Sequence, residues 1–421
     1  MPQINILPKE VYQLIAAGEV VERPSSVVKE MIENSVDAGA KNITVEIKNG
    51  GSTYIRITDD GCGIARSEVK KVFISHATSK IKVSDDLDKI GTLGFRGEAM
   101  ASISAVAKVQ LLTRTADEEI GTRYEIAGGQ ELDFSDAGCP VGTTIVVADI
   151  FFNTPARMKF LKKDVTEANA VAGVVERIAV SHPEISFRFI RDGKQTLITS
   201  GNGDLKSTIY SVFGREFANS LIPVDYEINN MRVSGFVTKP SMSRKSRGMQ
   251  FFFINSRLVK SQTAMAALEQ AYRNSIMVGK FPGCVLNIEC NSSFVDVNVH
   301  PAKIEVRFAN EKPVFELVYY GVKNAIEMLD TPKEAHFSAP RPTQTTVNGK
   351  IDFFKPKEEV PTQMQFKQES NPDDFWRVAA PDVLREKSPK TEDEKNYVEE
   401  STTTAKLDLN KFTKPSVSNE Q

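Results

Sequence analysis

The stretch Val27-Val28-Lys29-Glu30-Met31-Ile32-Glu33-Asn34-Ser35-Val36-Asp37-Ala38-Gly39-Ala40 decides how the rest of the chain is read. Val27, Val28, Met31, Ile32 and Val36 recur at helical spacing, which predicts an amphipathic helix. Its other face carries Glu30, Glu33, Asn34 and Asp37. Glu30 and Asn34 are four apart, so their side chains sit one turn apart on one face. A carboxylate so placed can take a proton from water. The amide oxygen is a hard ligand for Mg²⁺, which keeps waters and phosphate oxygens as its other ligands. An ordinary surface helix with a solvated acidic face has the same pattern. The residues beyond Ala40 decide between the two.

Downstream, Ile43, Val45 and Ile47 alternate with polar residues, Asn49-Gly50-Gly51 signals a turn, and Tyr54, Ile55 and Ile57 continue as a second strand. That strand runs into Asp59-Asp60-Gly61-Cys62-Gly63-Ile64. An Asp at a strand end can hydrogen-bond a flat heterocycle while the bare backbone of two glycines closes over it. A hairpin-end turn shares this chemistry. In Gly91-Thr92-Leu93-Gly94-Phe95-Arg96-Gly97-Glu98-Ala99, three glycines at intervals of three precede a helix-forming run. Backbone N–H groups in such a loop make an anion site. The spacing is not that of a P-loop. Residues 61–97 read as a long excursion off the sheet, a lid. Val141-Gly142-Thr143-Thr144-Ile145-Val146-Val147 opens another apolar strand.

These pieces, in this order, resemble the GHKL nucleotide-binding superfamily of type II topoisomerases, ninety-kilodalton heat-shock chaperones, histidine kinases and MutL. Longer motifs narrow the resemblance to the MutL/HexB mismatch-repair family: residues 15–24, 59–63, 76–80 and 94–99, Phe152-Asn153-Thr154-Pro155-Ala156-Arg157, and Asp296-Val297-Asn298-Val299-His300-Pro301-Ala302-Lys303. The resemblance covers roughly residues 1 to 330. It implies an α+β fold: a GHKL (Bergerat-type) ATPase α/β sandwich over residues 1–203, then a small S5-like transducer and DNA-binding domain over 204–331. Residues 332–421 read as a disordered linker, rich in Pro, Ser, Thr, Gln, Lys and Glu. The C-terminal dimerisation domain and the Asp-Gln-His-Ala endonuclease motif of relatives are expected to be absent.

The resemblance also implies roles. Glu30 is the general base and Asn34 holds Mg²⁺. Asp59 accepts from the adenine amino group, with Gly61 and Gly63 giving room. Thr78, Gly94, Phe95, Arg96 and Gly97 hold the phosphates. Thr143 or Thr144 helps hold the base, and Lys303 reaches the terminal phosphate. Phosphoryl transfer needs such positioning and charge neutralisation more than covalent chemistry. The cofactors implied are ATP and Mg²⁺. The partners implied are MutS, downstream helicase or excision factors, non-specific DNA, and a second copy of the chain paired through the N-terminal domains when ATP is bound. The location implied is the bacterial cytoplasm, near the nucleoid. His76 and His300 are expected to be structural rather than catalytic.

The chain has 421 residues, of which 40% are hydrophobic and 26% charged, so it can bury a sizeable core. The formal net charge of -2 does not advertise nucleic-acid binding, so DNA contact must come from local patches. Candidates are Lys239, Arg244, Lys245 and Arg247 in one loop, and Arg257 and Lys260 flanking the next strand. Arg157, Lys159, Lys162 and Lys163 form a second group, and Gln262 stands where some relatives place an arginine. A basic loop is also what any solvated surface offers. Cys62, Cys139, Cys284 and Cys290 are scattered and make no metal-type pair. No apolar run reaches membrane-span length. In the second part, 222–228, 231–237, 249–254 and 285–289 read as strands, and 261–273 and 314–329 as helices. A scaffold with a degenerate nucleotide pocket is the alternative function; the intact Glu30, Asn34, Asp59, Arg96 and Lys303 argue against it.

Overall fold

A computed structural model describes residues 8, 14–15, 17–18, 20–78, 97–291, 294–296, 307–308 and 310–330. Gly94, Phe95, Arg96, His300, Lys303 and the expected linker 332–421 lie outside the described residues.

The helix expected around Glu30 is α1, Pro24–Asp37. Pro24 begins it, where the missing N–H of proline costs nothing. Gly39 closes it at φ +75, with Ala40 N–H donating to Ser35 O at 3.2 Å and Gly39 N–H to Val36 O at 2.9 Å. This left-handed closure satisfies carbonyls the helix would otherwise leave bare. Val27, Val28, Met31 and Ile32 are buried. Each such side chain contributes about 1.5–3 kcal/mol of hydrophobic free energy.

That buried stripe packs on an eight-stranded sheet. Its strands are β1 (Asn42–Lys48), β2 (Tyr54–Asp59), β3 (Lys108–Arg114), β4 (Gly121–Ala127), β5 (Gln130–Ala137), β6 (Gly142–Ala148), β7 (Ser186–Arg191) and β8 (Lys194–Ile198). The order across the sheet is β5-β4-β3-β6-β2-β1-β7-β8. All neighbours are antiparallel except β1 and β7, which run parallel. Burial alternates along β1, β2, β3 and β6, as a sheet with one covered face requires. The covering helices are α1, α2 (Ala99–Val106) and α4 (Asp164–Ser181), with a short α3 (Pro155–Met158) between the last two.

A second sheet holds β9 (Leu221–Ile228), β10 (Met231–Thr238), β11 (Gln250–Ile254), β12 (Arg257–Val259) and β13 (Cys284–Glu289), ordered β12-β11-β13-β10-β9. Helix α5 (Leu205–Asn219) precedes it, with Asp204 capping the Lys206 and Ser207 N–H groups. Ile209, Phe217 and Ala218 of α5 and Val180 of α4 pack against Leu221, Phe253 and Val285 of the second sheet. Its other core is filled from α6 (Gln262–Ala271) and α7 (Glu311–Asp330). Backbone pairing of β14 (Val295–Asp296) with β15 (Arg307–Phe308) completes the described elements. The four strands and two helices expected here form within three residues of their expected bounds.

Only the inner part of the excursion expected over residues 61–97 lies within the described residues. Residues 61–78 fold back: a turn of 3₁₀ helix over Val69–Phe73 buries Val69 and Phe73, and the Phe73 ring lies 5.0 Å from that of Tyr124. The outer part, 79–96, lies outside the described residues. Among the described residues no helix is long and apolar enough to cross a membrane.

Candidate functional site

β2 and β6 are adjacent central strands, and at one rim Asp59 stands opposite Thr143. Asp59 is buried. Its Oδ2 accepts from Ser35 Oγ of α1 at 2.7 Å, and its Oδ1 from the N–H groups of Gly61 at 3.0 Å and Thr143 at 3.3 Å. Ser35 Oγ is also 3.2 Å from Met31 O, but it has one hydrogen, and the shorter contact to the carboxylate takes it. A carboxylate offers about four lone-pair directions. Three are filled here, so one remains for a donor on a ligand. Burial pushes the Asp59 carboxyl above its ordinary value, and the bonds from Ser35, Gly61 and Thr143 only partly oppose this.

The adjacent Asp60 is a different object. It accepts from Lys41 N–H at 2.7 Å, Asn42 N–H at 2.8 Å and Asn42 Nδ2 at 2.7 Å. Burial works against its charge, but these bonds outweigh it and hold the carboxyl below its usual value. Asp60 ties the start of β1 to the end of β2; Asp59 faces the site.

The glycines of the loop are required by close approach. A Cβ on Gly63, at φ +72, would stand 2.1 Å from Arg114 O. A Cβ on Gly61 would stand 2.8 Å from the Ala38 Cβ at the end of α1. Thr113 of β3, missed in the sequence, knits this corner. Its Oγ1 accepts from Ile64 N–H at 2.9 Å and lies 3.0 Å from Gly142 O and 3.1 Å from Thr143 Oγ1. No local signal marks it: it is an ordinary threonine one residue from the end of a strand.

The pleat separates the two threonine candidates. Thr143 is buried on the helix-covered face beside Asp59 and Thr113. Thr144 points to the opposite face, where its Oγ1 donates to Thr58 Oγ1 at 3.1 Å. Thr143 is thus the one that shares a face with Asp59.

On α1, Glu30 and Asn34 are both half-buried on the face turned from the core. Lys29 Nζ lies 3.3 Å from Glu30 Oε1 and 2.8 Å from Glu33 Oε1. Burial alone would lower the Lys29 pKa; Glu33 and Glu30 outweigh it and raise it. The lysine is therefore held charged beside the candidate base.

The neck of the loop is closed on itself. His76 Nδ1 lies 3.2 Å from Glu98 Oε1, and a Cβ on Gly97, at φ +61, would stand 2.3 Å from Ala77 O. Thr78 and Gly97 are thereby brought to the same neck. Gly94, Phe95, Arg96 and Lys303 cannot be placed relative to it, being outside the described residues.

Of the basic candidates, Lys239, Arg244, Lys245, Arg247 and Lys260 are exposed and Arg257 is half-buried. Arg247 makes a two-pronged pair with Glu269, at 2.6 and 3.0 Å, and lies 4.1 Å from the centre of the Phe281 ring. Arg244 exchanges backbone bonds with Phe281 at 2.8 and 2.7 Å. Lys245 and Lys260 are exposed. Arg257 turns away from them and is half-buried toward α1. In the second group Lys159, Lys162 and Lys163 are exposed, whereas Arg157 packs under Gly18, where any Cβ would collide with it.

The residues around Asp59 fit an adenine nucleotide by an acceptor left open, a shelf of bare glycine backbone, and a nearby carboxylate and amide on one helix. Residues 22–127 match the family described as histidine kinase-, DNA gyrase B-, and HSP90-like ATPase, and residues 209–327 match DNA mismatch repair protein, C-terminal domain. The chain is 48% identical over 326 residues to a DNA mismatch repair protein MutL of Caldanaerobacter subterraneus subsp. tengcongensis, covering 77% of this chain and 55% of that protein. It is 51% identical over 315 residues to the MutL of Agathobacter rectalis, covering 75% and 48%. The chain thus spans about half the length of these relatives. Among solved structures, the MutL ATPase domain of Aquifex aeolicus complexed with ADP superposes with a TM-score of 0.52 at 29% identity, covering 71% of this chain and 98% of that one. The N-terminal domain of a DNA repair protein gives a TM-score of 0.65 at 28% identity, covering 75% and 98%.

Proposed function

We propose that this chain, which belongs to the MutL family of DNA mismatch repair proteins, is an ATP-driven switch that binds and slowly hydrolyses ATP at the Asp59 site. Residues 1–203 would be the ATPase domain and 204–331 the transducer. The observation that carries this reading is that one helix joins both halves of the site. Ser35 of α1 orients Asp59, while Glu30 and Asn34 stand on the same helix.

Asp59 and Thr143, with Gly61 and Gly63 behind them, would hold the adenine. Asn34 would hold Mg²⁺, which supplies charge neutralisation at the phosphates. Glu30 would orient and deprotonate water, with Lys29 fixing its carboxylate. Thr78 and Gly97 at the loop neck, with Gly94, Phe95, Arg96 and Lys303, would engage the phosphates. Ordering of that loop by nucleotide would pair two chains through their N-terminal regions, an order-to-switch transition of a common kind. The pair would hold DNA weakly and without sequence preference, and would carry a mismatch signal from MutS to downstream helicase or excision factors.

The test is ATP turnover by the purified chain, with sedimentation in the presence and absence of a non-hydrolysable ATP analogue. The expected result is slow hydrolysis and a shift from monomer to dimer with the analogue. A chain that binds no nucleotide, or keeps one oligomeric state throughout, overturns the switch.

A further inference from the structure

The face of α1 turned from the first sheet gathers Glu30, Glu33 and Asp37 within two helical turns, and Glu33 is buried there. Like charges so spaced repel one another. Lys29, on the same helix, reaches Glu30 and Glu33. A second cation comes from more than two hundred residues away in sequence. Arg257 is the first residue of β12 and pairs with Ile254 across the β11–β12 hairpin.

That hairpin is pinned. Its turn residues Asn255 and Ser256 sit at φ +48 and +66. Asn255 Nδ2 donates to Cys290 O at 3.0 Å, and its Oδ1 accepts from Cys290 N–H at 3.1 Å. Asn255 N–H donates to Ile288 O at 3.0 Å, and Ser256 N–H to Asn287 Oδ1 at 3.2 Å. Strand β12 packs on α4, and α4 packs on α1. The Nη1 atom of Arg257 and the Oε2 atom of Glu33 are both fully enclosed. Burial pulls the Arg257 pKa down, and Glu33, Asp37 and Glu30, in that order, oppose this without reversing it. A guanidinium keeps its charge in such surroundings.

We propose that Arg257 is a positioning residue for ATP hydrolysis: delivered by the pinned hairpin, its guanidinium holds the acidic face of α1 and so fixes the direction of Glu30 from the second sheet. A planar fork suits a cluster of carboxylates better than an ammonium does. Holding matters because a misplacement of about 1 Å in a reacting group costs about 10²-fold in rate. The second sheet thereby touches the catalytic helix through a side chain, so a shift of that sheet would be felt at the base.

This inference rests on the ATPase reading above. The experiment compares the parent chain with Arg257→Gln, Arg257→Lys, Glu33→Gln and the double variant Arg257→Gln/Glu33→Gln, reading kcat and KM for ATP and the affinity for a non-hydrolysable analogue. Arg257→Gln should lower kcat about tenfold or more while KM and analogue affinity stay within about twofold, the split expected when a base is misdirected in an intact pocket. Arg257→Lys should recover part of the loss. The double variant should cost less than the sum of the singles, because the two side chains act on each other. Parental kcat in Arg257→Gln, additive losses in the double variant, or a fall in analogue affinity with unchanged kcat would each overturn it. So would weakened DNA binding with normal turnover, which would place Arg257 among the DNA contacts. Should the parent itself fail to hydrolyse ATP, the ATPase reading falls first, and the two failures are told apart.

Discussion

Asp59 and Arg247 are both charged side chains near the ends of sheet strands, and they could hardly be held more differently. Asp59 is buried under three donors from a strand, a loop and a helix. Arg247 lies on the surface, closed onto a single carboxylate, Glu269. The first charge is expensive to keep and is kept at a site with an acceptor to spare. The second is inexpensive, and much of its field is spent on its neighbour. A function that depends on one atom in one place belongs to the first region. Binding that depends on summed, screened charge belongs to the second. Changes in the first should therefore be large and specific, and changes in the second small and sensitive to salt.

The largest effect should come from Glu30→Ala. Nucleotide affinity should persist, while single-turnover hydrolysis falls by about 10²–10⁴-fold, the scale for losing a general base. Hydrolysis near the parental rate would remove Glu30 from the chemistry and leave the contrast between regions without its strongest case.

Gly63→Ala comes next. The new methyl would meet the Arg114 carbonyl at 2.1 Å, and the backbone sits at φ +72. Denaturant unfolding should show a loss of at least about 1–3 kcal/mol, the cost of a non-glycine residue held in a sparsely populated conformation. Unchanged stability would mean the loop relaxes freely, and that the glycine shelf is no constraint on what binds there.

Asp59→Asn sharpens the comparison differently, because stability and function should part company. Burial raises the folded carboxyl pKa above its unfolded value. The folded state then binds the proton more tightly, and stability falls as pH rises from the ordinary carboxylate value through the raised folded value. Above that window the parent carries the full cost of a buried charge. An amide escapes it and can still accept from the Gly61 and Thr143 N–H groups. At neutral pH the variant should be as stable as the parent or more so, and the parent should gain on it as pH falls through the window. Its preference for adenine over guanine nucleotides should weaken. Melting curves at several pH values, paired with nucleotide titrations, check both halves. A variant less stable at neutral pH would mean that the carboxylate's bonds outweigh its burial.

Smaller effects are expected from the basic loop. Reversing the charge of Arg244 and Lys245 together should reduce DNA affinity for all sequences alike and flatten the salt slope by about one to two units. The smallest should be Arg247→Ala. Its pair with Glu269 is exposed, so the melting temperature should not move measurably. A clear drop there would show that the loop is built as firmly as the Asp59 corner.

Legibility in the sequence runs along the same divide. The helix at Pro24–Asp37 and the hairpin into Asp59 can be read because their signals are local: a 3.6-residue apolar stripe, a two-residue alternation, and turn glycines between them. The strands at Lys108–Arg114, Gly121–Ala127 and Gln130–Ala137, and the helices at Asp164–Ser181 and Leu205–Asn219, are not among the elements expected from sequence. Only the outermost of these, Gln130–Ala137, has no buried residue; there Glu125 and Asp133 on facing strands are held by neighbours such as Arg123, and polar pairing takes the place of apolar alternation.

By itself the sequence determined the elements that repeat at short range, and, through motifs long enough to be specific, the family and the candidates Glu30, Asn34 and Asp59. Tertiary structure decided the rest. It put Thr143 rather than Thr144 beside Asp59, because the pleat sends successive side chains to opposite faces and only the covered face meets α1. It gave Asp60 a scaffolding part and Asp59 the open acceptor, though the two are adjacent and chemically alike. It drew Arg257 away from the basic loop and toward Glu33. No spacing rule links residue 33 to residue 257; their proximity exists only once two sheets and the helix between them have packed, because burial energy acts on whole surfaces and brings together whatever side chains those surfaces carry.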